Sequence, residues 1–216
     1  MTLTSISRVE LEPPPWLYHL MARSPVFRLV YRRIVADLAA ALPPGARLLD
    51  VGTGPGYLLA DLARPRPDLH LVGLDLSNGM IKRAWRCQAS PRQWLVADAK
   101  ALPFPPAVFD QVLATFSFHI WPRRAQGVAE ILRVLRPHGR AWIYELRRET
   151  GPPQLRAFAR EERLPFPLVY LGFKAVSWHH AVAARDFAAT LNQVVASRWD
   201  ISPAHHLFWR AEIERA

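Results

Sequence analysis

The chain has 216 residues, half of them apolar, which is enough for one substantial hydrophobic core, so we predict a single domain. Its net charge of +10 comes almost entirely from scattered arginines, which by themselves do not indicate a nucleic-acid-binding protein. One cysteine, Cys87, excludes a disulfide framework, and without a bilayer-length apolar run or a signal-peptide pattern we expect a cytoplasmic protein.

Residues 1–44 are predicted to form N-terminal helices. Apolar residues recur at helical spacing between residues 16 and 42, and Pro25 divides this segment into two helices. Ser24 is a suitable N-cap for the second helix, because proline at the first helical position has a favourable φ angle.

Strands and helices then alternate through residues 45–148. We predict strands at 47–51, 69–74, 94–97, 108–116 and 140–146, and helices at 56–63, 78–87 and 123–135. The strands are nearly apolar throughout, which indicates a mostly parallel sheet with helices on both faces. Right-handed crossovers make such a sheet doubly wound, and ligands bind beyond the carboxyl ends of its strands.

The alternation stops at residue 151. Residues 151–182 are rich in prolines and aromatic residues, and we predict that they form a lid insertion over the site. Within the C-terminal segment, residues 185–214, a helix at 185–196 and strands at 197–202 and 206–213 complete the sheet. The fold class is therefore α/β, with seven strands.

A glycine loop follows the first strand. Gly52, Gly54 and Gly56 permit positive φ angles and let a ligand approach the backbone. The third glycine comes one residue too early for a dinucleotide fingerprint, and Asp50 precedes the loop. A carboxylate at this position disfavours a pyrophosphate and suits a ligand that carries an ammonium or sulfonium group.

Two further aspartates end the next two strands. Asp75 can accept hydrogen bonds from both hydroxyls of a ribose. Asp98, together with the backbone N–H of Ala99, can recognise the edge of an adenine ring. Each aspartate alone could equally cap a helix or turn, but three in succession after a glycine loop favour an adenosyl ligand.

These segments closely resemble class I S-adenosylmethionine-dependent methyltransferases, especially the small-molecule branch that includes ubiquinone and menaquinone biosynthesis enzymes. The similarity covers about residues 45–146, and its motifs are DVGTGPG at 50–56, LDLS at 74–77, ADA at 97–99, LPF at 102–104, FD at 109–110 and LRVLRP at 132–137. One departure is His138, where the family usually has glycine before Gly139.

The resemblance implies methyl transfer and a set of residues that bind S-adenosylmethionine, whose product is S-adenosylhomocysteine. The loop would hold the methionine part, Asp75 the ribose and Met80 the adenine ring, while backbone carbonyls of Thr115 and Phe116 would contact the ammonium group. The full implied set is Asp50, Gly52, Thr53, Gly54, Gly56, Asp75, Leu76, Met80, Asp98, Ala99, Thr115 and Phe116.

The acceptor is predicted to be a small, hydrophobic or aromatic molecule that is methylated on oxygen or carbon. His119 follows the fourth strand and is the candidate base, although a structural histidine is an equally open interpretation. Trp16, Tyr18 and Tyr170 are candidate acceptor contacts, because apolar, aromatic pockets suit such ligands. The residues after the fourth strand lack the Asn/Asp-Pro-Pro-Tyr/Phe motif of exocyclic-amine methyltransferases.

Alternative functions stay open at this point. The basic surface would also suit an RNA or protein methyltransferase, and the fold could hold the cofactor without transferring a methyl group. No metal site is predicted. The adjacent histidines at 179–180 and at 205–206 are possible ligands, but neighbouring side chains in a helix or strand point apart and so should not bind one metal ion. The oligomeric state is open and includes a homodimer.

Overall fold

The computed structural model describes residues 25–87, 93–194 and 198–216, so the first predicted N-terminal helix lies outside the described residues. The helices are α1 Pro25–Ala41, α2 Tyr57–Ala63, α3 Asn78–Cys87, α4 Arg124–Val134, α5 Pro152–Glu161, α6 Phe166–His180 and α7 Ala184–Val194, with a short 3₁₀ helix at Phe118–Ile120. The strands are β1 Arg47–Val51, β2 His70–Asp75, β3 Gln93–Val96, β4 Phe109–Thr115, β5 Leu135–Arg147, β6 Ala181–Val182, β7 Arg198–Ala204 and β8 Phe208–Glu214. None of the helices in these ranges is long and apolar enough to cross a membrane.

The strands form one mixed sheet in the order β3-β2-β1-β4-β5-β8-β7. β1 pairs in parallel with both β2 and β4. β8 runs in the opposite direction to its neighbours β5 and β7 and pairs antiparallel with both. The chain therefore reverses its direction of winding at β1, and the carboxyl ends of β1 and β4 border the crevice where ligands bind in such sheets. The doubly wound, mostly parallel α/β fold is confirmed.

The sheet has all seven predicted strands and one more. The additional strand, β6, has two residues, follows α6 directly and pairs in parallel with β5. β5 begins at Leu135 rather than at residue 140, because Leu135 pairs with Phe109 ahead of a register shift. Both differences concern β5, which is therefore longer and more extensively paired than its apolar run predicts.

Two hydrophobic clusters cover the two faces of the sheet. Because successive side chains of a strand point to opposite faces, Leu48 lies in one cluster and its neighbour Leu49 in the other, and neither has exposed surface. α1 packs into the first cluster through Ile34 and Leu38, while Phe118 and Phe187 stack within the second, 4.8 Å apart. Burial on both faces explains why the strands are almost continuously apolar.

The turn between β7 and β8 is joined to α1 and α5 by two adjacent histidines. His205 Nε2 lies 2.8 Å from Asp37 of α1, and His206 Nε2 lies 2.6 Å from Glu161 of α5. Arg33 of α1 also bonds Glu161 at 2.9 Å. The two histidines thus bind different carboxylates, and these contacts attach the helices to the antiparallel edge of the sheet.

Replacing His138 should stabilise the fold. His138 has a φ of +63°, a left-handed conformation that costs a side-chain-bearing residue about 1 kcal/mol relative to glycine, and its side chain is exposed. We expect His138→Gly to raise the melting temperature by about 2–4 °C, measured by calorimetry. His138→Ala keeps the unfavourable φ and should show no such gain; an equal gain in both variants would contradict this explanation.

Candidate active site

The glycine loop after β1 is a tight backbone bend. Gly52, Gly54 and Gly56 have φ angles of +78°, +56° and +76°. The N–H groups of Gly52 and Thr53 both donate to the carbonyl of Leu74 on β2, at 2.8 and 2.9 Å. A Cβ atom at position 56 would lie 2.5 Å from the Trp94 ring, and one at position 52 would collide with Ser117. The loop therefore has no room for side chains at these two positions.

Asp50 places a buried carboxylate beneath this loop. Its side chain is only 2% exposed, and its Oδ2 accepts a 2.7 Å hydrogen bond from Thr53 Oγ1. Its Oδ1 is buried with no hydrogen-bond partner. Burial raises the pKa of Asp50 to about 7, opposed by the Thr53 hydrogen bond and assisted by the nearby charge of Asp75. An ammonium or sulfonium group nearby would stabilise the charged form.

The other two predicted aspartates lie at the ends of the neighbouring strands. Asp75 accepts the N–H of Gly54 at 2.9 Å and that of Ser77 at 2.8 Å, so it is joined directly to the loop. Asp98 follows β3, accepts the N–H of Lys100 at 3.0 Å and forms an ion pair with its Nζ. The parallel register of β1, β2 and β3 brings all three carboxylates to one edge of the sheet.

The remaining predicted cofactor residues surround the same edge. Leu76 is 67% exposed, although it is a large apolar residue, and Met80 is half-buried on α3. At the end of β4, Thr115 Oγ1 is buried with no hydrogen-bond partner. Phe116 has a φ of +54°, and its ring packs between Tyr31 and Phe208. Such backbone conformations occur preferentially at functional sites.

His119 is held by a carboxylate that sequence analysis did not single out. Its Nδ1 lies 2.9 Å from Glu145 Oε2, and its backbone N–H donates to Glu145 Oε1 at 3.1 Å. Glu145, on β5, has no exposed surface. Arg124 donates to the carbonyls of Phe118 and His119, at 3.2 and 2.6 Å, and so orders the same segment.

A second histidine completes the cluster. His119 Nε2 lies 2.8 Å from Nδ1 of His180, the last residue of α6. In the sequence, His180 stands out only as half of a histidine pair. One signal was available for Glu145: it is the only carboxylate in the apolar run 141–146, and a buried carboxylate needs partners. Nothing in the sequence indicates that His180 would be the neighbour of His119.

Of the predicted acceptor contacts, Tyr170 alone is among the described residues, and it lies away from His119. Trp16 and Tyr18 lie outside the described residues. Tyr170 lies on α6, ten residues before His180 and hence about 15 Å away along the helix. Its ring packs against Phe166 at 5.8 Å. The role of these three residues stays a prediction.

Comparison with known proteins assigns the domain. Residues 49–143 match the family model described as a methyltransferase domain. Residues 49–143 are a class I S-adenosylmethionine-dependent methyltransferase domain. The matched range contains the glycine loop, all three strand-end aspartates and His119.

Curated relatives include enzymes named for quinone biosynthesis. The chain is 38% identical over 122 residues to the ubiquinone/menaquinone biosynthesis C-methyltransferase of Geobacter sulfurreducens, which covers 54% of this chain and 46% of the relative. It is 37% identical over 145 residues to the demethylmenaquinone methyltransferase of Thermus thermophilus, covering 65% of this chain and 63% of the relative. The chain thus spans about half to two thirds of the length of these relatives.

The fold is also shared with solved structures. A SAM-dependent methyltransferase from Aquifex aeolicus superposes with a TM-score of 0.70 at 17% identity, covering 95% of this chain and all of the other. At this identity the similarity concerns the fold alone. It covers more of the chain than the matched range 49–143.

The residues present fit S-adenosylmethionine. Asp50 has a buried oxygen with no partner and a raised pKa, both of which a cationic ligand would relieve. The loop offers backbone without side chains, and Asp75 and Asp98 offer acceptors on the two adjacent strands. Asp50 and the loop would hold the methionine part, and Asp75 and Asp98 the adenosine part.

Binding of S-adenosylhomocysteine should depend on pH through Asp50. Its pKa of about 7 means that the carboxyl is largely protonated below pH 7, whereas the ligand's ammonium favours the carboxylate. Binding should therefore release a proton, and affinity should fall by up to about tenfold per pH unit below 7.

Isothermal titration calorimetry between pH 5.5 and 8, in buffers of different ionisation enthalpy, measures this effect. Asp50→Asn should bind more weakly and lose the pH slope. Asp98→Asn should also bind more weakly but retain the slope. If Asp50→Asn kept the same dependence of affinity on pH, the proton released on binding would come from another group.

Proposed function

We propose that the chain transfers the methyl group of S-adenosylmethionine to a small hydrophobic or aromatic acceptor, on oxygen or on an adjacent ring carbon. The observation that carries this proposal is the position of His119. Its imidazole ring is held by Glu145 directly after β4, at the same edge of the sheet as the glycine loop and Asp50. The loop with its buried carboxylate and the oriented imidazole therefore lie at one edge of the sheet.

The cofactor's sulfonium group supplies a methyl group that is already activated for attack. The protein then has to orient the acceptor and exclude water, which can account for about 7–11 kcal/mol of the barrier. Asp50 and the loop would fix the methionine part, and Asp75 would fix the ribose. Backbone carbonyls at Thr115 and Phe116 would bind the ammonium group.

His119 belongs to the base that removes a proton from the acceptor. Glu145 accepts hydrogen bonds from both the backbone N–H and Nδ1 of His119, which fixes Nδ1 as the protonated nitrogen. Nε2 then carries the lone pair. A buried carboxylate also stabilises the imidazolium that forms when the proton arrives.

A small aromatic acceptor is supported by the names of the relatives and by the aromatic residues of the segment that follows β5. Two curated relatives are named as methyltransferases of ubiquinone/menaquinone biosynthesis and of demethylmenaquinone. Residues 151–182 form α5 and α6, and their aromatic side chains would act, with Trp16 and Tyr18, as the lid over an aromatic acceptor.

An RNA or protein acceptor is less well supported, because several of the described arginines are in ion pairs. Such a function would need a cluster of basic side chains beside the cofactor crevice. Instead, arginines on several separate elements form ion pairs: Arg33 with Glu161 and Glu162, Arg66 with Asp68, Arg133 with Glu130, Arg136 with Asp110, and Arg140 with Glu212 and Glu214. The positive charge of these arginines is thereby compensated locally.

Turnover with an acceptor panel tests the proposal. We expect S-adenosylhomocysteine to form with hydroquinones or phenols, detected by mass spectrometry, and not with RNA or peptides. His119→Ala should lower turnover by about 10²-fold or more while the dissociation constant of S-adenosylhomocysteine changes little, because loss of a general base affects chemistry rather than cofactor binding.

His70→Ala is a matched control, since His70 is exposed at the amino end of β2, on the opposite edge of the sheet. Unchanged turnover in His119→Ala would reduce His119 to a structural role. Tight cofactor binding without turnover on any acceptor would favour a protein that holds the cofactor without transferring a methyl group.

A further inference from the structure

The outward face of α6 is apolar. Leu168 and Leu171 are 54% and 66% exposed, and Gly172 and Ala175 are exposed beside them. These four residues lie three or four positions apart, or next to one another on the helical wheel, so they form one apolar stripe along the helix. A continuous apolar surface of this kind marks a place where a folded chain binds a partner, whereas single exposed apolar residues do not.

The apolar stripe is not used by the hydrophobic core. α6 packs into the first hydrophobic cluster through its other face, where Val169 and Phe173 are 1% and 8% exposed. Among the α6 residues whose burial is described, Lys174 is the one polar residue that is exposed. A surface helix normally carries polar side chains on its outer face. Packing within the domain therefore does not account for the apolar stripe.

Two cations form a basic flank beside the stripe. Phe166 and Tyr170 lie four residues apart on one side of α6, with ring centroids 5.8 Å apart. The Arg156 guanidinium lies 5.0 Å from the centre of the Phe166 ring, and the Lys174 ammonium lies 5.9 Å from that of Tyr170. Both cations are exposed, and neither forms an ion pair within the described part of the chain. Lys174 follows Leu171 by three residues, so the flank borders the stripe.

The nearest carboxylates along the chain are bound on the other side of the α5–α6 hairpin. Glu161 forms ion pairs with Arg33 of α1 and with His206, and Glu162 also pairs with Arg33. The sequence then has no aspartate or glutamate between residues 163 and 185. The positive charge of the basic flank is therefore not compensated by the segment that carries the stripe.

The charge pattern decides which partner fits this surface. Two copies of the chain in a symmetric dimer would bring two like-charged flanks close together, which disfavours self-association through this face. A nucleic acid would pair with the cations but would leave Leu168 and Leu171 in water. An anionic lipid bilayer offers phosphate groups to the flank and acyl chains to the stripe, so it satisfies both features.

We propose that the outward face of α6 binds the surface of an anionic phospholipid bilayer. Leu168 and Leu171 enter the boundary between head groups and acyl chains, and Arg156 and Lys174 lie at the phosphate groups. The helix lies along the surface. Lipid binding requires neither the cofactor nor methyl transfer, so the proposal goes beyond the proposed function.

The lipid-facing helix also leads to the candidate active site. α6 ends at His180, whose Nδ1 lies 2.8 Å from His119 Nε2. A hydrophobic acceptor carried in the bilayer would thus be present near one end of the helix that contacts the site. This link alone rests on the proposed methyl transfer, whereas the lipid contact does not.

Flotation of the full chain with lipid vesicles tests the proposal without cofactor or acceptor. We expect binding to vesicles of phosphatidylglycerol mixed with phosphatidylcholine, and weaker binding at high salt or to phosphatidylcholine alone. Leu168→Ser/Leu171→Ser should weaken binding by about tenfold or more, because serine lacks the apolar surface that the acyl chains would cover. Arg156→Gln/Lys174→Gln should weaken binding to the anionic vesicles by about tenfold.

Matched controls lie on α3. Trp85→Ser removes an apolar side chain that is 59% exposed, and Lys82→Gln/Arg86→Gln removes two exposed positive charges. Both controls should bind vesicles as the wild type does, and circular dichroism confirms that every variant is folded.

Three results would overturn the proposal. The first is a wild type that does not bind anionic vesicles, and the second is an equal loss of binding in the α3 controls. The third is a wild type that dimerises in sedimentation velocity without binding vesicles and becomes monomeric in Leu168→Ser/Leu171→Ser, which would assign the stripe to a second copy of the chain. Absence of turnover on every acceptor would overturn the proposed function but would leave the vesicle result unchanged.

Discussion

A carboxylate that is removed from water must be stabilised by partners or lose its charge, and this constraint applies to both Asp50 and Glu145. Asp50 has one hydrogen bond, from Thr53, and a free oxygen, so its pKa is raised to about 7. Glu145 is buried as fully but accepts two hydrogen bonds from His119. The first carboxylate would be stabilised in its charged form by a cationic ligand, and the second orients an imidazole ring.

The topology of the sheet brings these two groups to the same edge. Asp50 lies near the carboxyl end of the central strand β1 and Glu145 near that of β5, with β4 between the two strands. Because β1, β4 and β5 run in parallel, their carboxyl ends meet at the same edge. A fold of this kind can therefore combine a cation cradle and a base without any long loop.

Particular residues show how far the sequence could predict this arrangement. Gly52, Asp75 and their neighbours belong to motifs of fixed spacing along the chain. The predicted cofactor-binding residues could therefore be named from the order of residues alone. Glu145 and His180 could not be predicted in this way, because they are 26 and 61 residues from His119 and meet it only through strand pairing and the end of a helix. The strand β6 gave no periodic signal, because two residues are too few to show an alternation of apolar and polar residues.

The sequence by itself determined the alternation of strands and helices, the bend after β1 and the aspartates on successive strand ends, because each depends on local spacing and on the period of apolar residues. Only the tertiary structure decided which nitrogen of His119 faces a carboxylate and which side chain covers the other. Hydrogen-bond partners across such distances depend on register and packing, which a pattern of residue types does not contain.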